Sequence, residues 1–98
     1  MFFERPDAGT QTLLIHIEAQ DATVEELREL AVSAGLNAVA EVTAKKRNPD
    51  PKTYIGSGKL DEIRIIADEF GAELILFDQE LSPTQERNLE EAFERRVL

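Results

Sequence analysis

The sequence contains no cysteine and no tryptophan, and it has only one histidine, His16. Without cysteine the chain can form neither disulfides nor thiolate metal sites, and a single histidine argues against a histidine-based metal centre. No apolar run approaches the roughly 20 residues that span a bilayer, and the amino terminus lacks the basic and apolar segments of a secretory signal. We therefore predict a cytoplasmic domain with no membrane span and no metal site.

The position of His16 also removes the common kind of nucleophilic site. It lies inside the apolar run of residues 12–17, a predicted strand, where we expect a half-buried residue with a hydrogen-bond partner. No arrangement of serine, histidine and acid is then available. We predict that the chain has no catalytic residues and is not itself an enzyme.

The apolar periodicity predicts an alternating α/β fold. With 98 residues, 42% of them hydrophobic and 32% charged, the chain has the composition of one globular domain. Strands are predicted over residues 12–17, 37–43 and 74–77, and helices over 23–34, 58–70 and from Ser82 onward. This alternation predicts a small open, mostly parallel sheet of three to four strands, with three helices packed on its faces. Val97-Leu98 is typical of the start of a further central strand, so we expect the chain to be a fragment.

Local signals predict the helix ends and the buried helix faces. Thr23 and Glu26 have the spacing of a capping box at the first helix. Ser82, Pro83 and Gln85 predict a cap, a first-turn proline and a second capping box. The predicted buried stripes are Val24, Leu27, Leu30, Ala31 and Ala34 in the first helix, Leu60, Ile63, Ile66, Ala67 and Phe70 in the second, and Leu89, Ala92 and Phe93 in the third.

Basic residues are concentrated in one loop, although the net charge of the chain is −9. Between residues 44 and 59 only Asp50 is acidic, whereas the basic side chains, which we call the basic cluster, are Lys45, Lys46, Arg47, Lys52 and Lys59. Such a loop can contact phosphate groups locally, while the acidic remainder discourages non-specific binding to nucleic acid. A solvated surface loop is the alternative interpretation.

A glycine-rich turn, Gly56-Ser57-Gly58-Lys59, precedes the second predicted helix, where backbone amides and the helix dipole attract anions. It is not a Walker A loop, because Thr53 replaces the first glycine and Leu60 replaces the serine or threonine that holds magnesium. The dinucleotide-binding pattern fails at Asp61. The turn is therefore either a weak anion site or a flexible start to the helix.

Asp78 follows the third predicted strand, where α/β proteins place functional residues. A phosphoacceptor role, as in receiver domains, would also need a later strand with its lysine, and these are absent. The simpler interpretation is that Asp78 shapes the turn toward Ser82. Glu90, Glu91 and Glu94 are predicted to be solvated residues on the outward face of the third helix.

Three stretches together resemble one known family. Residues 51–59 read Pro-Lys-Thr-Tyr-Ile-Gly-Ser-Gly-Lys and run into Glu62-Ile63, and residues 77–90 read Phe-Asp-Gln-Glu-Leu-Ser-Pro-Thr-Gln-Glu-Arg-Asn-Leu-Glu. The third stretch is the ending Arg96-Val97-Leu98. In this order and spacing they look like the amino-terminal domain of the HflX family of ribosome-associated GTPases, and the resemblance covers essentially residues 1–98.

The resemblance implies a longer parent protein, in which this α/β subdomain precedes a helical hairpin and a G domain that binds GTP and Mg²⁺. Proteins of the family bind the large ribosomal subunit and are associated with splitting or rescuing stalled ribosomes under stress. Their amino-terminal region has been linked to ATP binding in some members. We therefore expect a non-catalytic binding and regulatory domain, truncated before the hairpin and the G domain; the alternative is an ATP-binding domain in its own right.

The resemblance also gives the candidate residues a role. We expect phosphates of ribosomal RNA, or of ATP, to be contacted by Lys45, Lys46, Arg47, Lys52, Gly56, Gly58 and Lys59, with Tyr54 available for stacking. The second stretch is expected to face the helical and G domains of the parent, through Asp78, Ser82, Gln85, Arg87 and Asn88.

Overall fold

Helices and strands alternate along the chain, as the sequence predicts. The computed structural model describes residues 9–17, 20–44 and 55–98. In chain order the elements are β1 (Gln11–His16), α1 (Asp21–Ser33), β2 (Asn37–Thr43), α2 (Ser57–Phe70), β3 (Leu74–Phe77), α3 (Pro83–Phe93) and β4 (Arg96–Val97). The predicted bounds of β2 and β3 are confirmed.

The strands form one open sheet in the order β2-β1-β3-β4, and every pair is parallel. The predicted fold class, a small parallel sheet with three helices, is therefore confirmed. In the described sheet β4 is the outer strand beside β3, and not the central strand that the sequence suggested. Because β2 and β3 lie on opposite sides of β1, the chain reverses its direction of travel across the sheet between β1 and β3. This gap is the topological switch point, where open α/β sheets place their ligand sites.

Alternation along the strands divides the core into two layers. On one face, α2 and α3 cover the sheet through residues such as Ile63 and Phe93, both fully buried. On the other face, the smaller cluster joins Leu27 and Ala31 of α1 to Leu14 of β1 and Leu76 of β3. Within the described residues, α1 is the one helix of this second layer.

The helix ends follow local hydrogen bonding. The Ser82 hydroxyl accepts from the amide of Gln85 at 3.1 Å, and the Gln85 side chain accepts from the amide of Ser82 at 2.9 Å, which confirms the predicted capping box. The prediction at Thr23 is wrong, because the cap residue of α1 is Gln20. The Thr23 hydroxyl lies in the first turn instead, where it accepts from the Gln20 amide at 3.3 Å and donates to its carbonyl at 2.9 Å.

The predicted buried stripes are correct in their centres and wrong at three positions. Leu30 and Ala34 are exposed, because α1 packs on the sheet mainly through Leu27 and Ala31. Phe70 is half exposed, because it ends α2 where the chain turns back toward the sheet. Across the described ranges, no helix combines the length and apolar character that crossing a membrane requires.

Candidate functional site

The amino termini of all three helices lie at the carboxyl edge of the sheet, because each helix follows a parallel strand. The glycine turn begins α2, and the Ser82 capping box begins α3. The described end of the first family stretch and the start of α3 in the second are therefore brought to the same edge, on the face that α2 and α3 share. Ile55, just before the glycine turn, is buried in this core and fixes the start of α2.

The amino terminus of α2 differs from the others in having no cap among the described side chains. Its cap residue is Gly56, with φ −73° and ψ 163°, and none of the described side chains caps the helix. The first turn contains no acidic residue, whereas α1 and α3 have Asp21 and Glu86 there. The first amides of α2 therefore keep the partial positive charge of the helix dipole without a neutralising carboxylate.

Neither glycine of the turn is required by the fold of the described residues. Gly56 and Gly58 have no positive φ, unlike Gly35 and Gly71. A Cβ atom built at either position meets nothing within 4 Å. The backbone at both residues is therefore exposed and open to close approach by a ligand.

Lys59, in the first turn of α2, is already paired. Its Nζ atom lies 2.5 Å from Oε2 of Glu62, and both side chains are partly exposed. An ion pair of this kind between exposed residues contributes little stability, about 0 to 1 kcal/mol. Glu62 would therefore compete only weakly with a phosphate at the glycine turn for the ammonium group of Lys59.

The rest of the predicted phosphate-binding set lies outside the described residues: Lys45, Lys46, Arg47, Lys52 and Tyr54. Their contact with phosphate stays a prediction, as does that of the glycine turn. The chain connection alone places them between the end of β2 and the start of α2.

Asp78 connects two strands across the switch point. Both carboxylate oxygens of Asp78, at the end of β3, lie 3.0 Å from the backbone amide of Ile17, just after β1. The expectation that Asp78 shapes the turn toward Ser82 did not include this contact, whose partner is 61 residues away in sequence. The sequence around Asp78 does not predict its hydrogen bonds with Ile17, because they depend on β1 and β3 being neighbours in the sheet.

A small cleft lies beside Asp78, between α1 and the end of β3. Its volume is about 190 Å³, and its lining consists of Thr23, Glu26, Leu27, Leu30, Phe77, Asp78 and Gln79. Small-molecule sites usually enclose roughly 300–1,000 Å³. The cleft is therefore too small for a nucleoside triphosphate. Its lining also has the wrong charge for one, because it contains two carboxylates and no basic residue.

A polar network around the buried His16 joins β1, β2 and α1, and sequence analysis did not find it. His16 is 3% exposed and donates from Nε2 to Oε1 of Glu41 at 2.6 Å, which confirms its predicted hydrogen-bond partner but not its half-buried position. Arg28 donates from Nε to the same carboxylate at 3.0 and 3.2 Å. Within the described residues, Nδ1 of His16 has no partner.

The network fixes the charge state of its carboxylate. Partial burial raises the pKa of Glu41, but the hydrogen bonds from Arg28 and His16, with the charge of Arg28, outweigh burial and lower that pKa overall. The hydrogen bond to Glu41 is the chief reason that the pKa of Arg28 is raised. Glu41 is thus a structural carboxylate that links α1 to the sheet.

Some side chains of the second family stretch have hydrogen-bond partners within the domain, and others are exposed. Ser82 and Gln85 are occupied by each other in the capping box, Arg87 is exposed, and Asn88 is half-buried with partners of its own. Their role toward other domains stays a prediction.

Two of the acidic residues that we expected to be solvated have partners: Glu90 is partly buried, whereas Glu94 is exposed as expected. Glu90 accepts from the amide of Val97 at 3.3 Å, and Glu94 pairs with Arg64 at 2.7 Å. These contacts hold the end of α3 to β4 and to α2.

The described residues do not fit GTP with Mg²⁺. They contain no group of three or more histidine or acidic side chains that could hold a metal ion. At the glycine turn, Leu60 takes the place where a hydroxyl ligand to magnesium would be needed, and its side chain packs against the core. No step of GTP chemistry can therefore be assigned to these residues.

One known family matches most of the chain. The family described as "GTP-binding GTPase N-terminal" matches residues 21–98, and the chain belongs to this family. Proteins named GTPase HflX are similar over most of the chain: that of Escherichia coli (strain K12) is 45% identical over 98% of the chain, and that of Lacrimispora saccharolytica is 41% identical over 83%. The GTPase HflX of Flavobacterium psychrophilum is 33% identical over 90%. The resemblance to HflX amino-terminal domains is thereby confirmed.

The chain spans about a fifth to a quarter of the length of the curated relatives it matches: 24%, 19% and 23% of the three proteins named above. The similarity therefore concerns only part of those proteins, and the matching family is described as an amino-terminal one.

Proposed function

We propose that this chain is the non-catalytic amino-terminal domain of a longer GTP-binding protein, and that it helps that protein to bind the large ribosomal subunit. The parent protein acts in the cytoplasm and hydrolyses GTP with Mg²⁺ in a G domain outside residues 1–98. Within the parent, this domain regulates the GTPase through contacts with the helical and G domains. The similarity to GTPase HflX supports the parent's activity.

The observation that carries the binding proposal is the open amino terminus of α2. A helix start that no described side chain caps, two sterically free glycines and a weakly paired lysine form a surface that a phosphate oxygen can approach closely. In the sequence, the basic cluster ends at Lys59, which lies in the first turn of this helix. Phosphate contacts of this kind position a protein on RNA without reading its sequence, which suits a domain that docks on a ribosomal surface.

Salt dependence of binding tests this proposal. The affinity of the full-length parent for the large ribosomal subunit is measured at several salt concentrations, with Lys45, Lys46, Arg47 or Lys52 replaced by glutamine. Each lost phosphate contact should weaken binding and reduce the slope of log K against log salt by about 0.7–0.9. The matched control is Arg64→Gln, since Arg64 is an exposed residue of α2 that is paired with Glu94.

Unchanged affinity and slope in the glutamine variants, or equal losses in Arg64→Gln, would show that the basic cluster does not contact RNA.

The second function that we consider is ATP binding by residues 1–98 alone, and the same helix start, which no described side chain caps, favours it. Titration of the chain with ATP, followed by amide chemical shifts at Gly56 to Lys59, separates the two. Saturable shifts with ATP would favour the nucleotide site. Their absence at millimolar ATP would leave the ribosomal proposal as the sole one.

The second family stretch is proposed to face the other domains of the parent. Because Ser82 and Gln85 are occupied by their capping box, the side chain most available for a contact across that surface is Arg87. Asp78 and Asn88 would position this surface, since both already have partners within the domain.

A further inference from the structure

Glu90 is the last residue of the second family stretch, and the proposed function gives it no role. It lies partly buried on α3, and Oε2 of its carboxylate accepts a hydrogen bond from the backbone amide of Val97 at 3.3 Å. Val97 belongs to β4 and is 1% exposed. A buried amide needs an acceptor, and here a side chain supplies it where a neighbouring strand would otherwise do so.

The amide of Val97 points away from the sheet. The next residue, Leu98, directs its own peptide groups toward the sheet, since its amide donates to Ile75 at 3.0 Å and its carbonyl accepts from Phe77 at 3.0 Å. Successive residues of a strand direct their N–H and C=O groups to opposite sides. The peptide groups of Val97 therefore face outward, where the described sheet has no further strand beyond β4. Glu90 thus occupies the donor of this edge.

The opposite edge of the sheet is interrupted in a different way. The register of β2 against β1 jumps from Ala38 to Ala40, so Val39 is an extra residue without a partner on β1. Such a bulge bends an edge strand and breaks the regular row of peptide groups that another strand would need. The pairing of β4 with β3 has no such jump between its described residues, so the edge of β4 depends on its contact with Glu90.

The open edge of a sheet is a template for a second copy of the same chain, because identical edges can pair about a two-fold axis. Glu90 opposes this pairing at β4 in two ways. Its carboxylate already accepts from the N–H group that an incoming carbonyl would need. It also places negative charge at the edge, so a symmetric pair would bring two such carboxylates together, and each chain has a net charge of −9.

We propose that Glu90 closes the outer edge of β4 against pairing with a second copy of the chain. In this role Glu90 serves the domain itself, whereas Arg87, about one turn earlier on α3, is exposed and stays available to other parts of the parent. The proposal depends on neither ribosome binding nor ATP binding, since it concerns contacts within residues 74–98.

Hydrogen exchange of single amides, measured by NMR in the 98-residue chain, tests the contact. Glu90→Ala removes the acceptor, and Glu90→Asp keeps the charge but shortens the side chain, so in both variants the Val97 amide should exchange about tenfold faster or more. Glu90→Gln keeps an acceptor oxygen and should keep this amide protected. The amide of Leu98 should change little in all three variants, because its acceptor is Ile75 of β3.

An unchanged exchange rate at Val97 in Glu90→Ala and Glu90→Asp would overturn the proposal. Equal acceleration at Val97 and Leu98 would also overturn it, because that result would mean a general loosening of β4.

Self-association tests the role of the contact. In sedimentation velocity, the 98-residue chain with Glu90→Ala should form dimers whose fraction rises with protein concentration, whereas the unchanged chain should stay monomeric. The matched control is Glu91→Ala, which removes the same charge from the neighbouring, exposed position of α3 and should also stay monomeric.

A cross-link locates the dimer. The chain has no cysteine, so Arg96→Cys, at an exposed position of β4, provides a single thiol. Combined with Glu90→Ala, it should give a covalent dimer with a short bismaleimide reagent, and combined with Glu91→Ala it should not. Three results would each overturn the proposal: a monomeric Glu90→Ala chain at every concentration, dimers that do not cross-link at position 96, and dimers of the unchanged Glu90 chain that do.

Discussion

Replacing Gly58 with alanine should make the domain more stable and the parent protein worse at binding RNA. Gly58 is the second residue of α2, its φ is not positive, and an added Cβ meets nothing within 4 Å. Alanine then keeps the native backbone while it reduces the conformational freedom of the unfolded chain. The free energy of unfolding should rise by about 0.4–1 kcal/mol, and the lower end of this range is expected in the first turn of a helix.

Thermal unfolding of the 98-residue chain measures this gain. In a domain of this size 1 kcal/mol corresponds to about 4–8 °C, so Gly58→Ala should raise Tm by roughly 2–8 °C. Gly71→Ala is the matched control, because Gly71 ends the same helix with φ +67° and an added Cβ would lie 3.2 Å from Oε1 of Gln11. Alanine in the left-handed region costs about 1–2 kcal/mol, so this variant should be less stable.

The same substitution should weaken binding of the parent to the large ribosomal subunit, because the new methyl group would lie where a phosphate approaches the first amides of α2. Loss of stability in Gly58→Ala would show that the fold needs this glycine, and the argument from a sterically free backbone would fail. A stabilised variant with unchanged affinity would place the RNA contact elsewhere.

Three further predictions concern residues that hold the fold together. Glu41→Ala should lower the free energy of unfolding by about 1–3 kcal/mol, because Nε2 of buried His16 loses its acceptor, whereas Glu41→Gln should cost less in urea unfolding. Since the pKa of Glu41 is lowered in the folded state, its contribution to the free energy of unfolding should be complete above its ordinary pKa of 4.5 and be lost as the pH falls through the pKa of the folded state. In urea titrations at acidic pH, Glu41→Gln should therefore lose less stability than the unchanged protein. Ser82→Ala should cost about 1 kcal/mol through loss of the α3 cap, and Ser82→Thr, which keeps a hydroxyl for the amide of Gln85, should restore most of it; equal melting temperatures for all three proteins would contradict the capping role.

Features that depend on neighbouring residues could be read from the sequence. The bounds of β2 and β3 and the capping box of Ser82 and Gln85 follow from local polarity and spacing. The family was also readable, because the glycine turn and the second stretch are continuous in the chain. The failure of the turn as a Walker A loop was equally local, since Thr53 and Leu60 are visible without any structure.

Contacts between distant segments were decided only by the tertiary structure. Asp78 reaches Ile17, and Glu41 reaches His16, because β1 has β2 on one side and β3 on the other. Strand order and register set these pairs, and a shift of one residue would turn every side chain of a strand to the other face. The helical period likewise identified Leu30 as an apolar residue of the stripe. Only the packing of α1 on the sheet left it exposed, because what covers a helix face depends on elements that the local sequence does not contain.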